Sequence, residues 1–162
     1  MTHERGRQLD LDLEPIRRVD AVMVGGDLTV VAHPSATRLE AEVLGGPPLE
    51  VDVSHGTLTI RHRHRWAGRL LPMRDARASI VVFVPTECST QVRSVAAEVL
   101  VSGTIGEVDV RNVSGSLTLT GVTGPVVAKN VSGPVAAETI TGRLTVKSVS
   151  GDVTASGALD GV

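Results

Sequence analysis

The chain has 162 residues, which is enough for one sizeable apolar core and too few for two full domains. Apolar residues make up 41% of it, but with one Phe, one Trp and no Tyr the interior must be filled by aliphatic side chains, which favours a narrow, stacked core. The net charge of −2 gives no general reason to expect nucleic acid as a partner, and the single cysteine, Cys88, excludes an intramolecular disulfide.

Residues 1–18 form a charged N-terminal segment. The segment has no apolar run of the length that a secretory signal requires, and no later stretch approaches the ~20 apolar residues of a membrane span. We therefore expect a cytoplasmic protein, with a peripheral position at the inner face of the membrane as an open alternative.

Residues 19–96 predict an irregular set of short strands. Apolar and polar residues alternate, and turns rich in Gly and Pro separate the alternating runs. These runs cover residues 20–24, 27–31, 38–44, 49–53, 57–60 and 78–84, the last ending before Pro85. No amphipathic helix is indicated. We interpret this part as hairpin-like strands that begin or cap a stack.

Residues 97–162 carry a regular nine-residue repeat. Its glycines are Gly106, Gly115, Gly124, Gly133, Gly142 and Gly151. Two positions before them, in most units, stand the apolar residues Val113, Val122, Val131, Ile140 and Val149. Residues of one parity share a face of a strand, so these residues, the glycines and the apolar residues that follow are all expected to face the interior. A side chain at the glycine would then meet the opposite wall.

The repeat indicates one strand and one turn per unit. We therefore predict an all-β, single-domain, β-helix-like solenoid, with two or three units in each coil. The N-terminal part contributes irregular hairpin-like strands to the same domain.

The recurring units resemble a known bacterial family. The motifs are Val113-Ser-Gly115, Val131-Ser-Gly133, Ile140-Thr-Gly142 and Val149-Ser-Gly151, together with a preceding strand that ends in Val84-Pro85. They are similar to the putative-adhesin family, also called the toastrack domain, over roughly residues 19–162. The resemblance implies a β-solenoid without known activity, without catalytic residues to carry over, and often associated with envelope-stress systems.

Enzyme signatures are absent from the sequence. It contains no Gly-x-Ser-x-Gly elbow, phosphate-binding loop or His-Glu-x-x-His motif. Paired carboxylates such as Glu40 and Glu42 have the spacing of a solvated strand face, and residues 113–162 carry few charges for the wall of a polysaccharide-cleaving β-helix. We therefore predict no catalysis and no small-molecule cofactor.

The basic segment 61–77 stands out because it combines six arginines with the single Trp and one acid. The candidate residues for contact with an anionic surface are Arg61, Arg63, Arg65, Trp66, Arg69, Arg74 and Arg77. The alternative is a solvated edge strand whose arginines prevent edge pairing. His62 and His64 share a strand face and are weak candidates for a metal ion, but no third ligand is near and arginines repel cations, so no metal site is predicted.

Three functions stay open at this point. The prediction is a non-catalytic interaction or scaffold module, related to envelope stress, with a protein partner or self-association and contact with an anionic membrane surface. A filament that assembles through uncapped coil ends is the second function. A carbohydrate-active β-helix enzyme is the third.

Overall fold

The structure is a computed structural model that describes residues 2–6, 8–34, 37–62, 65–66, 69–70 and 76–157. This part of the chain contains β-strands and no helix, so the all-β prediction is confirmed. The strands are β1 Thr2–Gly6, β2 Gln8–Asp12, β3 Arg18–Ala32, β4 Arg38–Gly45, β5 Leu49–Ser54, β6 Thr57–His62, β7 Arg65–Trp66, β8 Arg69–Leu70, β9 Arg77–Val84, β10 Ser89–Ser102, β11 Val108–Asn112, β12 Leu117–Thr120, β13 Val126–Asn130, β14 Val135–Glu138, β15 Leu144–Ser148 and β16 Val153–Ala155.

Fourteen of these strands form one mixed sheet that is not closed, and β7 and β8 form a separate hairpin. The sheet has two arms. One arm runs β1-β5-β6-β3-β10-β11-β13-β15, and the other runs β2-β4-β9-β3-β10-β12-β14-β16. Buried residues from both arms belong to one hydrophobic cluster made mainly of Val, Leu, Ile and Ala. The core is therefore filled by aliphatic side chains, as the composition predicted.

The long strands β3 and β10 join the two arms. They pair in parallel from Arg18 with Ser89 to Val31 with Ser102. Midway along β10 the inward and outward alternation breaks, because Val95 and Ala96 are both exposed. Each long strand therefore bends at a corner, and its first half serves one arm while its second half serves the other.

The C-terminal strands repeat this pairing with a constant offset. Val108 pairs with Val126, and Val126 pairs with Leu144. On the other arm Leu117 pairs with Val135, and Val135 pairs with Val153, with the same offset along the chain. Two nine-residue units thus separate each strand from its hydrogen-bonded neighbour, because alternate units lie on different arms.

This alternation corrects one expectation about the repeat. Val122 and Ile140 are buried, as expected, but Val113 and Val131 are 48% and 45% exposed. The expectation that all these residues face the interior is therefore wrong for every second unit. The physical reason is that the chain passes between the arms in two different ways. At Val113 and Val131 it passes through a corner that leaves the side chain exposed, and at Val122 and Ile140 it passes through a turn that buries the side chain.

Glycine is required at these positions because the backbone of the neighbouring strand is close, and not because of the opposite wall. A Cβ at Gly115 would lie 2.5 Å from the carbonyl oxygen of Ala97, and one at Gly133 would lie 2.5 Å from that of Gly115. Both glycines also have a φ of 103°, which side chains rarely adopt. A side chain is thus excluded as predicted, but the nearest obstacle is the backbone two repeat units earlier.

A row of buried polar side chains stabilises the corner. The Nδ2 of Asn112 donates to the carbonyl oxygens of Ala97 and Gly115 at 3.1 and 3.3 Å, and Ser94 Oγ donates to Asn112 Oδ1 at 2.7 Å. One rung later, Asn130 Nδ2 donates to Gly133 O at 3.0 Å. These bonds give side-chain donors to backbone carbonyl groups at the corner.

The charged segment 1–18 is itself largely strand. In it, β1 pairs antiparallel with β5, and β2 pairs antiparallel with β4. Leu9 is buried between the outward Gln8 and Asp10, which is the alternation of a half-buried strand. The segment therefore adds one strand to each arm.

The close approach of the rungs predicts the cost of a side chain at a corner glycine. Gly121→Ala carries only the penalty of a left-handed φ, since the nearest atom to a Cβ there is 3.8 Å away. Gly133→Ala adds a backbone clash, so its free energy of unfolding should fall by a further ~1–3 kcal/mol. Urea unfolding of the two variants measures the difference, and equal losses would contradict this account of the corner.

The buried amide row gives a second prediction. Asn112→Leu keeps the volume but removes the donors to Ala97 and Gly115 and the acceptor for Ser94, so the free energy of unfolding should fall by ~1–3 kcal/mol for each group left unpaired. Thr118→Val, at an outward position of β12, should change it by less than ~0.5 kcal/mol. Equal thermal stability of Asn112→Leu and the parent would show that the row contributes nothing.

Candidate functional site

The structure describes only part of the basic segment 61–77. Arg61 points outward from β6, is 53% exposed and lies 3.6 Å from Glu50 through its Nε, and Arg77 is exposed at the start of β9. The backbone pairs Arg65 with Leu70 and Trp66 with Arg69 in the β7–β8 hairpin. Arg63, His64 and Arg74 lie outside the described residues. Contact of this segment with an anionic surface therefore stays a prediction.

His62, the first of the two metal candidates, faces the interior. It is 2% exposed, and its Nδ1 donates to the carbonyl oxygen of Pro47 at 2.8 Å. Burial lowers the pKa of His62, and the hydrogen bond to Pro47 opposes this in part. No group of three or more His, Cys, Asp and Glu that could hold a metal occurs among the residues that the structure describes.

Cys88 is also buried. Burial raises the pKa of its thiol to about 12, so the thiolate is scarcely formed at neutral pH. Its Sγ lies 3.4 Å from the carbonyl oxygen of Ser89. Cys88 is therefore a structural thiol of the core.

A row of cations crosses the outward side of one arm. It consists of Arg93, Arg111, Lys129 and Lys147, which occupy the same position of β10, β11, β13 and β15 and are paired rung to rung. With ~4.8 Å between strands, the four side chains span ~14 Å. A nine-residue register hides this row in the sequence, because it places Lys129 and Lys147 next to the turn between units, whereas the structure places them in β13 and β15.

A row of exposed valines runs beside the cations at the corner between the arms. It consists of Val95, Val113, Val131 and Val149, which are 50%, 48%, 45% and 81% exposed. Each valine follows a cation by two residues. Large apolar side chains exposed in a continuous row indicate contact with another molecule more strongly than scattered ones do.

The two rows border a groove of about 370 Å³, which we call the basic–valine groove. The polar corner residues lie between the rows. The lining residues are Arg93, Ser94, Arg111, Asn112, Val113, Lys129, Asn130, Val131, Lys147, Ser148 and Val149. None of them is an acid, a histidine or a cysteine, so the groove offers cations and apolar surface but no carboxylate, imidazole or thiol for acid–base or nucleophilic chemistry.

The cations are weakly neutralised. Arg111 Nε lies 3.7 Å from Asp109 Oδ1, whereas Arg93, Lys129 and Lys147 form no ion pair with any described residue. Beyond Arg93 the row reaches Val22 on β3, which pairs with Arg93. On the far side of β3, Ile60 of β6 pairs with Ala21, so Arg61 is the residue of β6 that lies next to Val22. The groove therefore holds an excess of positive charge that an anionic ligand would neutralise.

The fold is shared with a solved protein. The chain is similar to a putative cell adhesion protein from Clostridium sporogenes, with a TM-score of 0.59 and 10% sequence identity over 99% of this chain and 100% of the other. A putative adhesin from Parabacteroides merdae aligns with a TM-score of 0.33 and 12% identity over 99% and 96% of the two chains. One from Bacteroides fragilis aligns with a TM-score of 0.34 and 12% identity over 94% and 97%.

The first of these similarities establishes the fold, and the two looser ones carry no argument. No family model matches the sequence, and no curated protein sequence matches it either. The resemblance to the putative adhesins that the Val-Ser-Gly motifs indicated is thus confirmed at the level of the fold. Among the described residues, no helix has the length and hydropathy of a membrane span.

The burial of His62 predicts how stability depends on pH. Because its pKa is lower in the folded chain than in the unfolded one, protonation favours unfolding. The stabilisation is complete above the unfolded pKa of ~6.5 and is lost as the pH falls toward the folded pKa. The free energy of unfolding should therefore fall more between pH ~7.5 and ~5 in the parent than in His62→Gln.

Urea titrations at several pH values measure this difference. His55→Asn, which replaces an exposed histidine in the turn between β5 and β6, is the matched control and should keep the pH dependence of the parent. If the control flattens the profile as much as His62→Gln does, the buried imidazole is not its source.

Proposed function

We propose that the chain is a non-catalytic β-solenoid module that docks on an anionic membrane surface through the basic–valine groove. The observation that carries the proposal is the alignment of four cations with four exposed valines along successive rungs. One such pair recurs in every second repeat unit, so the surface is a property of the repeat and not of a single loop.

The constant offset between neighbouring strands supports a solenoid with two nine-residue units per coil. Each coil then supplies one strand to each arm, one corner and one return turn. In such an arrangement every outward position becomes a straight row along the stack. A linear surface of repeated chemistry follows from the coil, and it suits an extended or planar partner better than a compact ligand.

The depth of the two rows fits the boundary of a bilayer. A valine lies two residues beyond its cation, which is ~6–7 Å along an extended chain. Interfacial side chains enter the headgroup and acyl boundary by ~5–10 Å. With the corner directed at the membrane, the valines reach this boundary while the cations stay at the level of the phosphates.

The energetics support reversible docking. A cation close to an anionic surface contributes ~1 kcal/mol, so the row contributes on the order of 4 kcal/mol before screening by salt. Burial of the exposed part of each valine adds apolar stabilisation, at ~25 cal/mol per Å². The electrostatic contribution of the cations and the apolar contribution of the valines are both needed for firm association, because stable anchoring at a membrane surface takes two such contributions.

The inner face of a bacterial membrane supplies the anionic lipid that this proposal requires, in agreement with the cytoplasmic location expected from the sequence. The association with envelope stress that the motif resemblance implies also agrees with a peripheral position there. Arg61, which extends the cation row, would join the contact from the N-terminal side.

The arrangement of acids supports the non-catalytic part of the proposal. A second depression, of about 350 Å³, is lined by Asp10, Glu40 and Glu42 among other residues. Arg38 binds both oxygens of Asp10, at 2.8 and 2.9 Å, and lies 3.2 Å from Glu40. Asp10 and Glu40 are therefore partly neutralised surface groups, which disfavours the carbohydrate-active alternative.

Co-sedimentation with vesicles tests the docking surface. The parent protein should pellet with anionic vesicles, stay in solution with neutral ones and be released by salt, because the contact is electrostatic. Arg111→Glu should lower the bound fraction severalfold. Arg143→Glu changes the net charge equally at an exposed position outside the groove and should lower it much less. Val113→Ser with Val131→Ser should weaken binding at unchanged charge.

Two further samples complete the design. A lipid-free tube measures sedimentation of the protein by itself. A variant of the basic segment, with Arg61, Arg63, Arg65 and Trp66 replaced together by Ser, separates that segment from the groove. If this variant loses binding while Arg111→Glu retains it, the groove is not the docking surface.

A further inference from the structure

The outward side of the other arm carries acids at matching positions. One row across four adjacent strands contains Glu42 on β4, Ser79 on β9, Asp27 on β3 and Glu98 on β10, each paired with the next. We call these residues the acidic row. Glu42 and Glu98 are exposed, and Asp27 accepts a hydrogen bond from Ser79 Oγ at 3.0 Å. Neither Glu42 nor Glu98 forms an ion pair with a described residue.

Apolar side chains accompany the acids, as valines accompany the cations. The neighbouring outward row contains Val81 on β9 and Leu100 on β10, both partly exposed. They lie two residues from Ser79 and Glu98, which is the spacing between cation and valine in the groove. Because all these strands share a rung spacing of ~4.8 Å, the acidic row and the cation row have the same pitch.

We propose that the acidic row of one molecule binds the basic–valine groove of a second copy of this chain. Three acids then face the four cations, and Val81 and Leu100 contact the valines. Opposite charges across an interface fix its register and accelerate association. The net charge of −2 leaves little overall repulsion between copies.

The geometry makes the contact a head-to-tail one. The two surfaces lie on the outward sides of different arms, so they cannot meet within one molecule. They also differ from each other, so one copy can engage a neighbour through each surface. Such a heterologous contact propagates into a chain of copies unless its rotation closes a ring. Lateral stacking of this kind uses the faces of the arms and not the ends of the coils.

This inference does not rest on membrane docking, although both use the groove. The acidic row has no part in docking on an anionic surface. A variant of the acidic row therefore loses self-association and keeps vesicle binding, whereas a variant of the groove loses both. The two proposals can thus fail separately.

Sedimentation velocity with charge-reversed variants tests the contact. In low salt, the mean sedimentation coefficient of the parent should rise with protein concentration and should fall back in ~0.5 M salt. Glu42→Lys with Glu98→Lys, and separately Arg111→Glu with Lys129→Glu, should each weaken self-association at least ~10-fold, because each variant sets like charges against each other. An equimolar mixture of the two variants should associate again, since the untouched surface of each fits the other.

Matched controls carry the same changes of net charge at exposed positions elsewhere. Glu87→Lys with Glu138→Lys, and Arg17→Glu with Arg143→Glu, should associate as the parent does. Restoration in the mixture also shows that both variants are folded. A parent that stays monomeric in low salt, controls that dissociate like the variants, or a mixture of variants with parental circular dichroism that fails to associate would each overturn the proposal.

Discussion

The parallel pairing of strands two repeat units apart is the constraint on which the rest of this structure depends. A parallel ladder places residue on residue, so whatever the sequence repeats at that interval becomes a continuous row. The buried rows make a core of aliphatic layers, and the corner residues make a row of amides that satisfies carbonyl groups such as those of Ala97 and Gly115. The same pairing brings backbones so close at the corner that only glycine fits at Gly115 and Gly133.

The outward rows are where this regularity costs stability. Like charges directly opposite each other on neighbouring strands are destabilising, and Arg93, Arg111, Lys129 and Lys147 repeat that arrangement over four strands. Alternating Lys with Glu at this position would remove the repulsion without disturbing the core. The exposed part of each corner valine likewise gains no apolar burial within the molecule. Both rows are therefore better explained by contact with another molecule than by the needs of the fold.

The sequence predicted the elements better than their arrangement. Alternation of apolar and polar residues identified β4, β5, β6 and β9 and both halves of β3, but it did not predict the part of β10 that precedes residue 97. The glycine period identified strand and turn in the repeats. The nine-residue register concealed the pairing of strands two units apart, because it aligned Val113 and Val131 with Val122 and Ile140, although the first pair is exposed and the second buried. The signal was present at twice the nine-residue period. At that interval the corner valines align only with valines, and the residues of the cation row align only with Arg or Lys.

The strand at residues 8–12 could also be predicted, because Leu9 and Leu11 alternate with Asp10. Its charged residues led us to describe it only as part of a charged segment. The alignment of Glu42, Asp27 and Glu98 in one row could not be predicted from the sequence, because it depends on strand pairing between distant segments that local patterns do not encode.

The separation of charge onto two arms links the membrane surface to the second copy. A cation row bound to lipid phosphates is not available to the acids of another molecule, so lipid and a second copy compete for the same groove. The anionic surface also repels the acidic row, which favours the orientation in which that arm faces away from the bilayer. Molecules docked in this way present acids outward, where they can bind the groove of an undocked copy. Taken together, the two proposals would make lipid the fixed start of a chain of copies that could otherwise extend in both directions.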